Sequence, residues 1–417
     1  MAATASGRTV LISGAGIAGA GLAYWLRRYG LIPTVVERAP GIRPGGQPVD
    51  LRGAGRTVVE RMGLLDAARA VRTEESGMAT VDAGGRRLMT MAADVFGPDG
   101  PVAEIEVHRG DLVDLLYGAS RDHVEYVFGD HVTGLVSHDD GVGVTFARGP
   151  ARTFSLVVGA DGLHSAVRAL AFGEEARFLR PLGGYMSFFT VPDPRPADDR
   201  SWFLTHATPG GRSAGLRPAG AGNAKALLTF RSEPLRIDPR DVAAQKAVLA
   251  GRFAGMAWEV PRILAGMEEA TDFFFDAIGQ VHMDACSTGR VVLLGDAGYC
   301  ASPLTGMGTS LALVGAYVLA GELGRAEGAD EGADDPAVAF ARYEQVMRPY
   351  IAQCQKLPPG GLAMMAPRTA WAIRAGVLLG RLMTTRPLRR VVARTMFSTA
   401  DTITLPDYRR SELPSVP

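Results

Sequence analysis

Short, unbroken apolar runs alternate with helical periodicity at the start of the chain. "TVLIS" (residues 9–13) is rich in β-branched residues, "AGLAYWLRRYG" repeats its apolar residues at helical spacing, and "IPTVVER" is a second β-branched run. Because a continuous apolar run is typical of a strand covered on both faces, this order predicts strand, turn, helix and strand. Two later runs, in "FSLVVG" (154–159) and "GRVVLLGD" (289–296), predict further buried strands.

A different pattern occupies the middle of the chain, where apolar and polar residues alternate between glycine turns. It occurs in "GGYMSFFTV", "RSWFLTHATPGGRSAGLRPAG" and "AKALLTFRSEP", and it predicts antiparallel strands. The earlier segment "GMATVDAGGRRLMTM" (77–91) has the pattern of a hairpin that joins the same sheet. "PRDVAAQKAVLAGRFAGMAWEVPRILAGM" (239–267) predicts two helices, and the chain beyond about residue 335 predicts a helical tail.

These patterns predict an α/β fold. A Rossmann-like domain is interrupted by an antiparallel-sheet domain, and a C-terminal helical segment follows. The predicted bounds are 1–77, 101–177 and 280–335 for the first domain, 78–100 and 178–279 for the second, and 336–417 for the helical segment. A length of 417 residues supports two domains, since it exceeds what one ordinary core holds.

The composition removes several classes of function. Lys and Arg together number 44, and so do Asp and Glu, so no net charge favours nucleic acid or an anionic membrane surface. Three cysteines (Cys286, Cys300, Cys354) without CxxC spacing are expected to be free thiols in a reducing compartment.

Neither end of the chain predicts a membrane segment. The first residues lack the apolar core of a signal peptide. Arg374 and Arg381 interrupt the late apolar stretch "TAWAIRAGVLLGRLM", which is therefore predicted to be a helix packed on the protein. We expect a cytoplasmic protein without a membrane span.

The turn after the first predicted strand matches G-x-G-x-x-G at Gly14, Gly16 and Gly19. The first glycine permits a tight turn, the second lets a pyrophosphate approach the backbone, and the third lets helix and strand pack closely. The following helix then turns its unpaired N–H groups toward the phosphates. Glu37 ends the second strand, where a carboxylate can accept ribose hydroxyls. These features predict half of a dinucleotide site without distinguishing NAD from FAD.

Two later motifs make that distinction. "FSLVVGADGLHSAVR" carries a D-G pair at Asp161, and "GRVVLLGDAGYCASPLTGMG" carries a G-D pair at Asp296, followed by Pro303 and a glycine turn. With these motifs in this order, the chain resembles the single-component (class A) FAD-dependent aromatic hydroxylases and monooxygenases, which have the p-hydroxybenzoate hydroxylase fold. "GGQPVDLRGAGRTVVERMGLLDAA" and "VHRGDLVDLLYGA" look like segments of tetracycline-inactivating members. The resemblance covers most of residues 8–325 and implies an FAD-binding domain of the GR2 type.

The resemblance implies FAD as the cofactor. Glu37 and the first glycine turn would hold adenosine and pyrophosphate, Asp296 the ribityl chain or the pyrophosphate, and the turn at 306–308 the isoalloxazine edge. Asp161 has the alternative of capping the next helix, and Arg109 that of a salt bridge between domains. The implied cofactor-binding residues are Gly14, Gly16, Ala18, Gly19, Glu37, Arg38, Asp50, Arg109, Val132, Asp161, Asp296, Gly306, Met307 and Gly308.

The chain departs from the family pattern in the late motif. Members often read G-D-A-A-H and G-Q-G-M-N where this chain has "GDAGY" (295–299) and "GMGTS" (306–310). We expect Tyr299 and Met307 to make the wall over the flavin larger or more apolar, and Ser310 to cap the helix or bond the ring edge.

Aromatic residues of the alternating segment are candidates for a substrate pocket, because an apolar aromatic substrate favours such walls. For each, the alternative is an ordinary place in the sheet core. The candidates are Phe188, Phe189, Trp202, Phe203 and Phe230, with Pro303 from the late glycine turn. The resemblance also implies transient docking of NAD(P)H at the flavin, with Arg43 and Arg52 as candidates to hold its phosphates.

No metal is expected. No histidine pair has the spacing of metal ligands, and no carboxylate cluster indicates a divalent ion. His164 and His282 are predicted to lie at the surface or to have polar partners.

The activity that the resemblance implies is oxygen insertion. NAD(P)H, with NADPH favoured, reduces FAD, dioxygen adds at the flavin C4a carbon, and the hydroperoxide transfers one oxygen atom. The implied substrate is an aromatic or polycyclic small molecule, such as a polyketide or tetracycline-like compound, and the protein a monomer or homodimer. Two alternatives stay open: a flavin oxidoreductase that inserts no oxygen, and a non-catalytic protein that sequesters flavin or a ligand.

Overall fold

The computed structural model describes residues 8–73, 75–96, 105–326, 335–385 and 402–408. The strands of these ranges are β1 (Thr9–Ser13), β2 (Ile32–Glu37), β3 (Pro48–Asp50), β4 (Gly77–Val81), β5 (Arg87–Ala92), β6 (Glu106–His108), β7 (Glu125–Phe128), β8 (Val132–Ser137), β9 (Val142–Phe146), β10 (Arg152–Phe154), β11 (Leu156–Gly159), β12 (Leu179–Pro192), β13 (Trp202–Thr208), β14 (Arg212–Pro218), β15 (Asn223–Arg231), β16 (Phe274–Val281), β17 (Ser287–Thr288) and β18 (Val291–Leu293). The α-helices are α1 (Ile17–Arg28), α2 (Gly53–Arg61), α3 (Leu65–Ala70), α4 (Arg109–Gly118), α5 (Ala166–Phe172), α6 (Val242–Phe253), α7 (Val260–Glu269), α8 (Asp296–Tyr299), α9 (Gly308–Ala326), α10 (Pro336–Cys354), α11 (Leu362–Met365) and α12 (Ala370–Met383).

A six-stranded sheet carries the three sequence motifs. Its order is β17-β18-β11-β1-β2-β7, and all neighbours except β17 pair in parallel. Val10 to Ile12 of β1 have no exposed surface, as expected for a strand covered on both faces. Because the strands are parallel, β1, β2, β11 and β18 end along one edge. The glycine turn, Glu37, Asp161 and Asp296 therefore come together there.

Helices α1 and α9 pack against each other beside this sheet. The ring of Trp25 on α1 meets that of Tyr317 on α9 edge-on, with 4.9 Å between ring centroids. α9 is apolar on all sides, and this pattern is typical of a helix surrounded by protein. Its neighbours α1, α2 and α10 supply that cover.

The alternating segment forms a seven-stranded sheet of order β16-β12-β15-β14-β13-β4-β5. β12, β15, β14 and β13 pair antiparallel, as their alternation predicts. The predicted hairpin β4–β5 joins the sheet through a parallel pairing of β4 with β13. The predicted helical pair, α6 and α7, packs on one face of this sheet and buries Phe189, Leu216 and Phe230 there.

Two smaller pairings were not predicted from the sequence. β8, β9 and β10 form a three-stranded antiparallel sheet, and β3 pairs with β6. The second pairing sets Asp50 opposite Glu106 and so joins the segment after the first glycine turn to the segment before Arg109.

The C-terminal segment is helical where it is described. α10 packs on α9, and α12 lies on β5, where Gly380 contacts Met89. The prediction that α12 packs on the protein is only partly right, because Trp371 is 78% exposed and Leu378 59% exposed. One side of a helix is enough to cover a sheet edge, and here the remaining apolar side faces solvent.

The predicted fold class is confirmed: an α/β chain with a Rossmann-like sheet, an inserted, mainly antiparallel sheet and a helical C-terminal region. The residue bounds of the domains stay a prediction, and parts of them (1–7, 74, 97–104, 327–334, 386–401 and 409–417) lie outside the described residues. Cys286, Cys300 and Cys354 are free and buried. Across the described ranges, no helix combines the length and apolarity needed to cross a membrane.

Candidate functional site

The first glycine turn has the geometry that its sequence predicts. Gly14 has φ of +103°, which favours glycine, and its N–H donates to the carbonyl of Val36 at 2.7 Å. A Cβ added at Gly19 would lie 1.9 Å from the carbonyl oxygen of Gly14, so only glycine fits there. Gly16 caps α1, whose first N–H groups have no partner within the helix.

Glu37 closes this turn from the next strand. Its carboxylate accepts the N–H of Ala15 at 2.9 Å and the N–H of Ala39 at 2.8 Å. A carboxylate has about four lone-pair positions, so these two bonds leave room for ribose hydroxyls. Arg38, next in the chain, is exposed at the same edge.

Arg109, the first residue of α4, extends to the glycine turn. A Cβ at Gly16 would lie 3.2 Å from Nη2 of Arg109, so the guanidinium lies beside the N-cap of α1. Burial and the nearby charge of Arg43 lower the pKa of Arg109, while Asp296 and Glu37 act in the opposite direction. Within the described part of the chain, Arg109 forms no salt bridge, and the alternative of a bridge between domains is not observed. A helix N-terminus beside an unpaired guanidinium fits an anion.

The G-D turn meets the first turn at the sheet edge. Gly295 has φ of +66°, and a Cβ there would lie 3.0 Å from Cβ of Ala18 on α1, so the two motifs pack directly together. Asp296 is exposed to solvent at this junction, and a Cβ at Gly308 would lie 3.9 Å from its Oδ1. The enclosing protein raises the pKa of Asp296, and the Cys300 thiol and Arg109 lower it.

The turn before α9 supplies fewer free N–H groups than predicted. Gly306 (φ +66°) donates its N–H to the carbonyl of Pro303, and Met307 donates to Oγ1 of Thr305, each at 3.3 Å. Gly308 begins α9, so its N–H has no partner within the helix. Asp50 lies against this turn, 3.9 Å from the position of a Cβ at Gly306.

Three residues of the late motif pack between helices in the structure. Tyr299 does not face the cofactor edge; it is 2% exposed and hydrogen-bonds to Tyr343 at 2.8 Å between α9 and α10. Met307 is buried in the main core. Ser310 neither caps α9 nor faces the edge, because its Oγ donates to the carbonyl of Arg52 at 3.3 Å and packs on Gly55. Each of these side chains is used for packing between helices.

Asp161 takes the capping role that the sequence left open. Its carboxylate accepts the N–H groups of Ala166 (2.9 Å) and Val167 (3.2 Å) at the start of α5 and the hydroxyls of Ser13 and Ser165. These four bonds occupy the lone pairs of the carboxylate. The side chain therefore fastens α5 to β1, and the expected direct contact with a cofactor is not favoured.

Val132 and Arg52 have surroundings that differ from their predicted roles. Val132 is 2% exposed in a core with Val144 and Phe154, so a cofactor contact would have to come from its backbone. Arg52 is mostly buried and pairs with Asp50 at 2.7 Å. A phosphate of NAD(P)H would have to compete with that carboxylate, whereas Arg43 is exposed near Arg109.

Sequence reasoning missed the residues that join the D-G motif to the rest of the molecule. Arg168 is fully buried and donates to the carbonyls of Ala297 (2.9 Å) and Leu163 (2.7 Å). His164 lies between Glu175 and Asp276, 3.0 Å from a carboxylate oxygen of each. Because Asp276 belongs to the seven-stranded sheet, His164 links the two sheets. Spacing gave no signal of these partners.

Alternation along the strands decides which aromatic residues face the other domain. Phe188 and Leu227 lie opposite each other on the face that packs against Leu304, in the turn after Pro303. Phe203 shares this face and lies under the guanidinium of Arg217, 4.7 Å from the ring centroid. We call this side of the seven-stranded sheet the cleft face.

The other aromatic candidates lie on the opposite face of the seven-stranded sheet. Phe230 is 1% exposed and stacks on Tyr185 at 5.5 Å under α6. Trp202 packs with Leu204 beneath Trp258, on the side of the sheet that α6 and α7 cover, and Phe189 lies there too. Successive strand residues point to opposite faces, so a run such as Phe188-Phe189 supplies only one residue to the cleft face.

Ion pairs lie on another part of the cleft face. Arg217 pairs with Glu75 at 3.0 Å and with Glu106 of β6, and both carboxylates are buried. Burial, reinforced by Glu75, raises the pKa of Glu106 to about 7. Lys225 pairs with Asp272 at 2.6 Å. These residues were not singled out in the sequence, because their partners are up to 142 positions apart.

Fold and site together define an α/β flavoprotein class, in which a dinucleotide turn and a G-D turn share one sheet edge opposite an antiparallel sheet. A family model described as "FAD binding domain" matches residues 8–335. A flavin-dependent monooxygenase of an unknown prokaryotic organism is 41% identical over 346 residues, covering 82% of this chain and 86% of that protein. An uncharacterized protein of Mycobacterium tuberculosis (strain ATCC 25618 / H37Rv) is 46% identical over 363 residues, covering 85% and 94%.

Among solved structures, tetracycline destructase Tet(51) is similar, with a TM-score of 0.78 and 31% identity over 97% of this chain and 99% of that one. The chain therefore belongs to the FAD-binding family of class A flavoprotein hydroxylases, and it is an FAD-dependent monooxygenase.

Proposed function

We propose that the chain consumes NAD(P)H and dioxygen to insert one oxygen atom into an aromatic or polycyclic small molecule of the tetracycline or polyketide kind. The observation that carries this proposal is the meeting of the two glycine turns at one sheet edge, directly opposite the cleft face. FAD, when bound, would supply the redox chemistry, and the protein would supply orientation and a site with restricted water.

The residues at the sheet edge fit the parts of FAD. The N-terminus of α1 and Arg109 would hold the pyrophosphate, since this positive region has no paired carboxylate among the described residues. Glu37 would accept ribose hydroxyls beside its two backbone bonds. Asp296 would orient the middle of the cofactor. The N-terminus of α9 at Gly308 would lie near the ring and favour negative charge on it.

The cleft face fits a substrate with an apolar ring body and polar oxygen substituents. Phe188, Leu227 and Leu304 offer apolar contacts. Lys225 and Arg217 lie farther along the same face with their carboxylate partners. The similarity to Tet(51), a tetracycline destructase, supports a polycyclic substrate of this kind.

The test uses the full chain loaded with FAD. Oxidation of NADPH and of NADH is followed with tetracycline, an anthraquinone and simple phenols, and each product is examined by mass spectrometry. We expect a polycyclic compound to stimulate NADPH oxidation and to gain one oxygen atom. Stimulated oxidation that never yields an oxygenated product, or no stimulation by any compound, contradicts the proposal.

Two neighbouring phenylalanines give a matched pair of variants. Phe188→Leu on the cleft face should lower kcat/KM for the substrate on the order of 10-fold, because part of an apolar wall is removed. Phe189→Leu, on the helix-covered face, should lower the melting temperature and leave kcat/KM within about 2-fold. Equal kinetic effects of the two changes would remove the cleft face from the substrate site.

A further inference from the structure

A cavity lies away from the sheet edge that carries the glycine turns. Its volume is about 380 Å³, and it lies between α10, the end of β16 and the last residues of α8. This volume is within the range of roughly 300–1,000 Å³ in which proteins hold small molecules. Asp296 begins α8 and faces Gly308, whereas Gly298 and Tyr299 end the same helix and line the cavity. Among the described residues around the cavity, Tyr299 had been expected near the flavin, and its side chain is instead buried between helices.

Part of the lining of this cavity is apolar, although polar and charged residues supply about half of it. Phe178, Met283, Met347 and Ile351 contribute side chains to its wall. The hydroxyl groups of the lining residues Tyr299 and Tyr343 are bonded to each other, and Tyr343 donates to the Leu293 carbonyl at 3.2 Å. The deep wall therefore offers little free hydrogen-bonding capacity, and it suits an apolar ring.

The mouth of the cavity is rich in cations. Arg348 donates to Glu344 at 3.0 Å and to the carbonyl of Asp284 at 2.7 Å, which fixes its guanidinium. Glu344 also accepts the N–H of Cys286 and the hydroxyl of Ser287, so three protein hydrogen bonds hold its carboxylate.

Two further arginines, Arg177 and Arg180, are exposed at the same mouth. Arg177 lies over the ring of Phe178, 5.3 Å from its centroid, and donates to the carbonyl of Phe172. Arg180 has no hydrogen bond or salt bridge within the described ranges, and its field helps burial to lower the pKa of His282. An unpaired guanidinium is thus available to an incoming anion.

We propose that this cavity binds a small aryl carboxylate, with the ring against Phe178 and Ile351 and the carboxylate on Arg180. A planar guanidinium binds a carboxylate through two parallel N–H···O bonds, and these are stronger than bonds between neutral groups. The site is separate from the proposed cofactor and substrate sites, and its occupant would contact the C-terminal end of the G-D helix.

The test is calorimetric titration of the FAD-loaded protein with biphenyl-4-carboxylate and with its neutral amide. We expect saturable binding of the carboxylate and binding at least 10-fold weaker for the amide.

Ala352 is exposed and lines the cavity, so Ala352→Phe should fill the space and abolish this binding without unfolding the chain. Arg180→Gln should weaken it by about 10-fold. Arg342→Gln, an exposed change elsewhere on α10, should leave it unchanged within about 2-fold.

Three outcomes would overturn the proposal. One is the absence of saturable binding, and another is equal affinity for the acid and the amide. The third is binding that survives both Ala352→Phe and Arg180→Gln, because the ligand would then occupy the cleft between the sheets. The melting temperature of each variant verifies that the chain is folded.

Discussion

Arg109 is a mostly buried cation at the residue scale of the site. Its guanidinium lies beside Gly16, and Arg43 adds a second positive charge nearby. Replacement of Arg109 by glutamine keeps hydrogen bonding and removes the charge. FAD affinity should therefore fall by roughly 10- to 100-fold, which corresponds to the free energy of a hydrogen bond to a charged group. Quenching of flavin fluorescence on titration measures this change. Arg121→Gln, at an exposed position, is the control, and equal affinities of the two variants would remove Arg109 from the site.

Gly19 and Gly21, both on α1, test the hypothesis that only glycine fits at the third position of the first turn. A Cβ at position 19 would overlap the Gly14 carbonyl, whereas at position 21 it would make an ordinary contact, 3.7 Å from Cβ of Ala316. We expect Gly19→Ala to lower the free energy of unfolding by about 1–3 kcal/mol and to reduce FAD binding. Gly21→Ala should change stability by less than about 1 kcal/mol. Urea denaturation compares them, and equal stabilities would contradict the steric account.

Single residues were predictable where a local rule acts. The G-x-G-x-x-G glycines follow from backbone sterics within one turn, and Glu37 follows from its place at a strand end. Tyr299 was misplaced because its direction depends on α9 and α10, which pack on it from positions distant in sequence.

The short helix α5 shows at the element scale how the D-G motif acts. Asp161 accepts two N–H groups at its start. Asp161→Ala should therefore lower the free energy of unfolding by about 1–2 kcal/mol and leave FAD affinity within about 3-fold. Asp335→Ala, which removes the side chain that caps α10 away from the edge, is the matched control. A 10-fold loss of FAD affinity at unchanged stability would show instead that Asp161 contacts the cofactor.

Secondary structure and sheet membership were largely predictable at this scale. Continuous apolar runs gave β1, β11 and β18, and alternation gave the strands of the second sheet. The side of that sheet that faces the flavin domain was not predictable. It depends on where α6 and α7 pack, so Phe188 and Phe189 could not be told apart from the sequence.

His164 joins the two sheets at the scale of the whole molecule. Hydrogen bonds to Asp276 and Glu175 raise the pKa of His164 from 6.5 to about 10. Since the folded state holds the proton more tightly than the unfolded chain, the stabilisation is complete below about pH 6.5 and declines as the pH rises through about 10. Arg168, which also bonds Glu175, stays charged throughout this window.

The expected result is a pH-dependent effect of His164→Gln. The loss in free energy of unfolding relative to the parent protein should be larger at about pH 6 than at about pH 9.5. Urea denaturation at both pH values measures it, with the exposed His123→Gln as control. A loss that grows with pH would contradict the bridge.

The sequence by itself determined the class of this protein. Its three motifs place required glycines and carboxylates at strand ends, and parallel pairing brings those ends to one edge whatever the rest of the chain does. The tertiary structure decided which charged residues form ion pairs, such as Arg217 with Glu106, 111 positions away. It also decided which face of each strand and helix lines the cleft. The physical reason is that backbone sterics act within a few residues, whereas side-chain partners and burial are set by packing between distant segments.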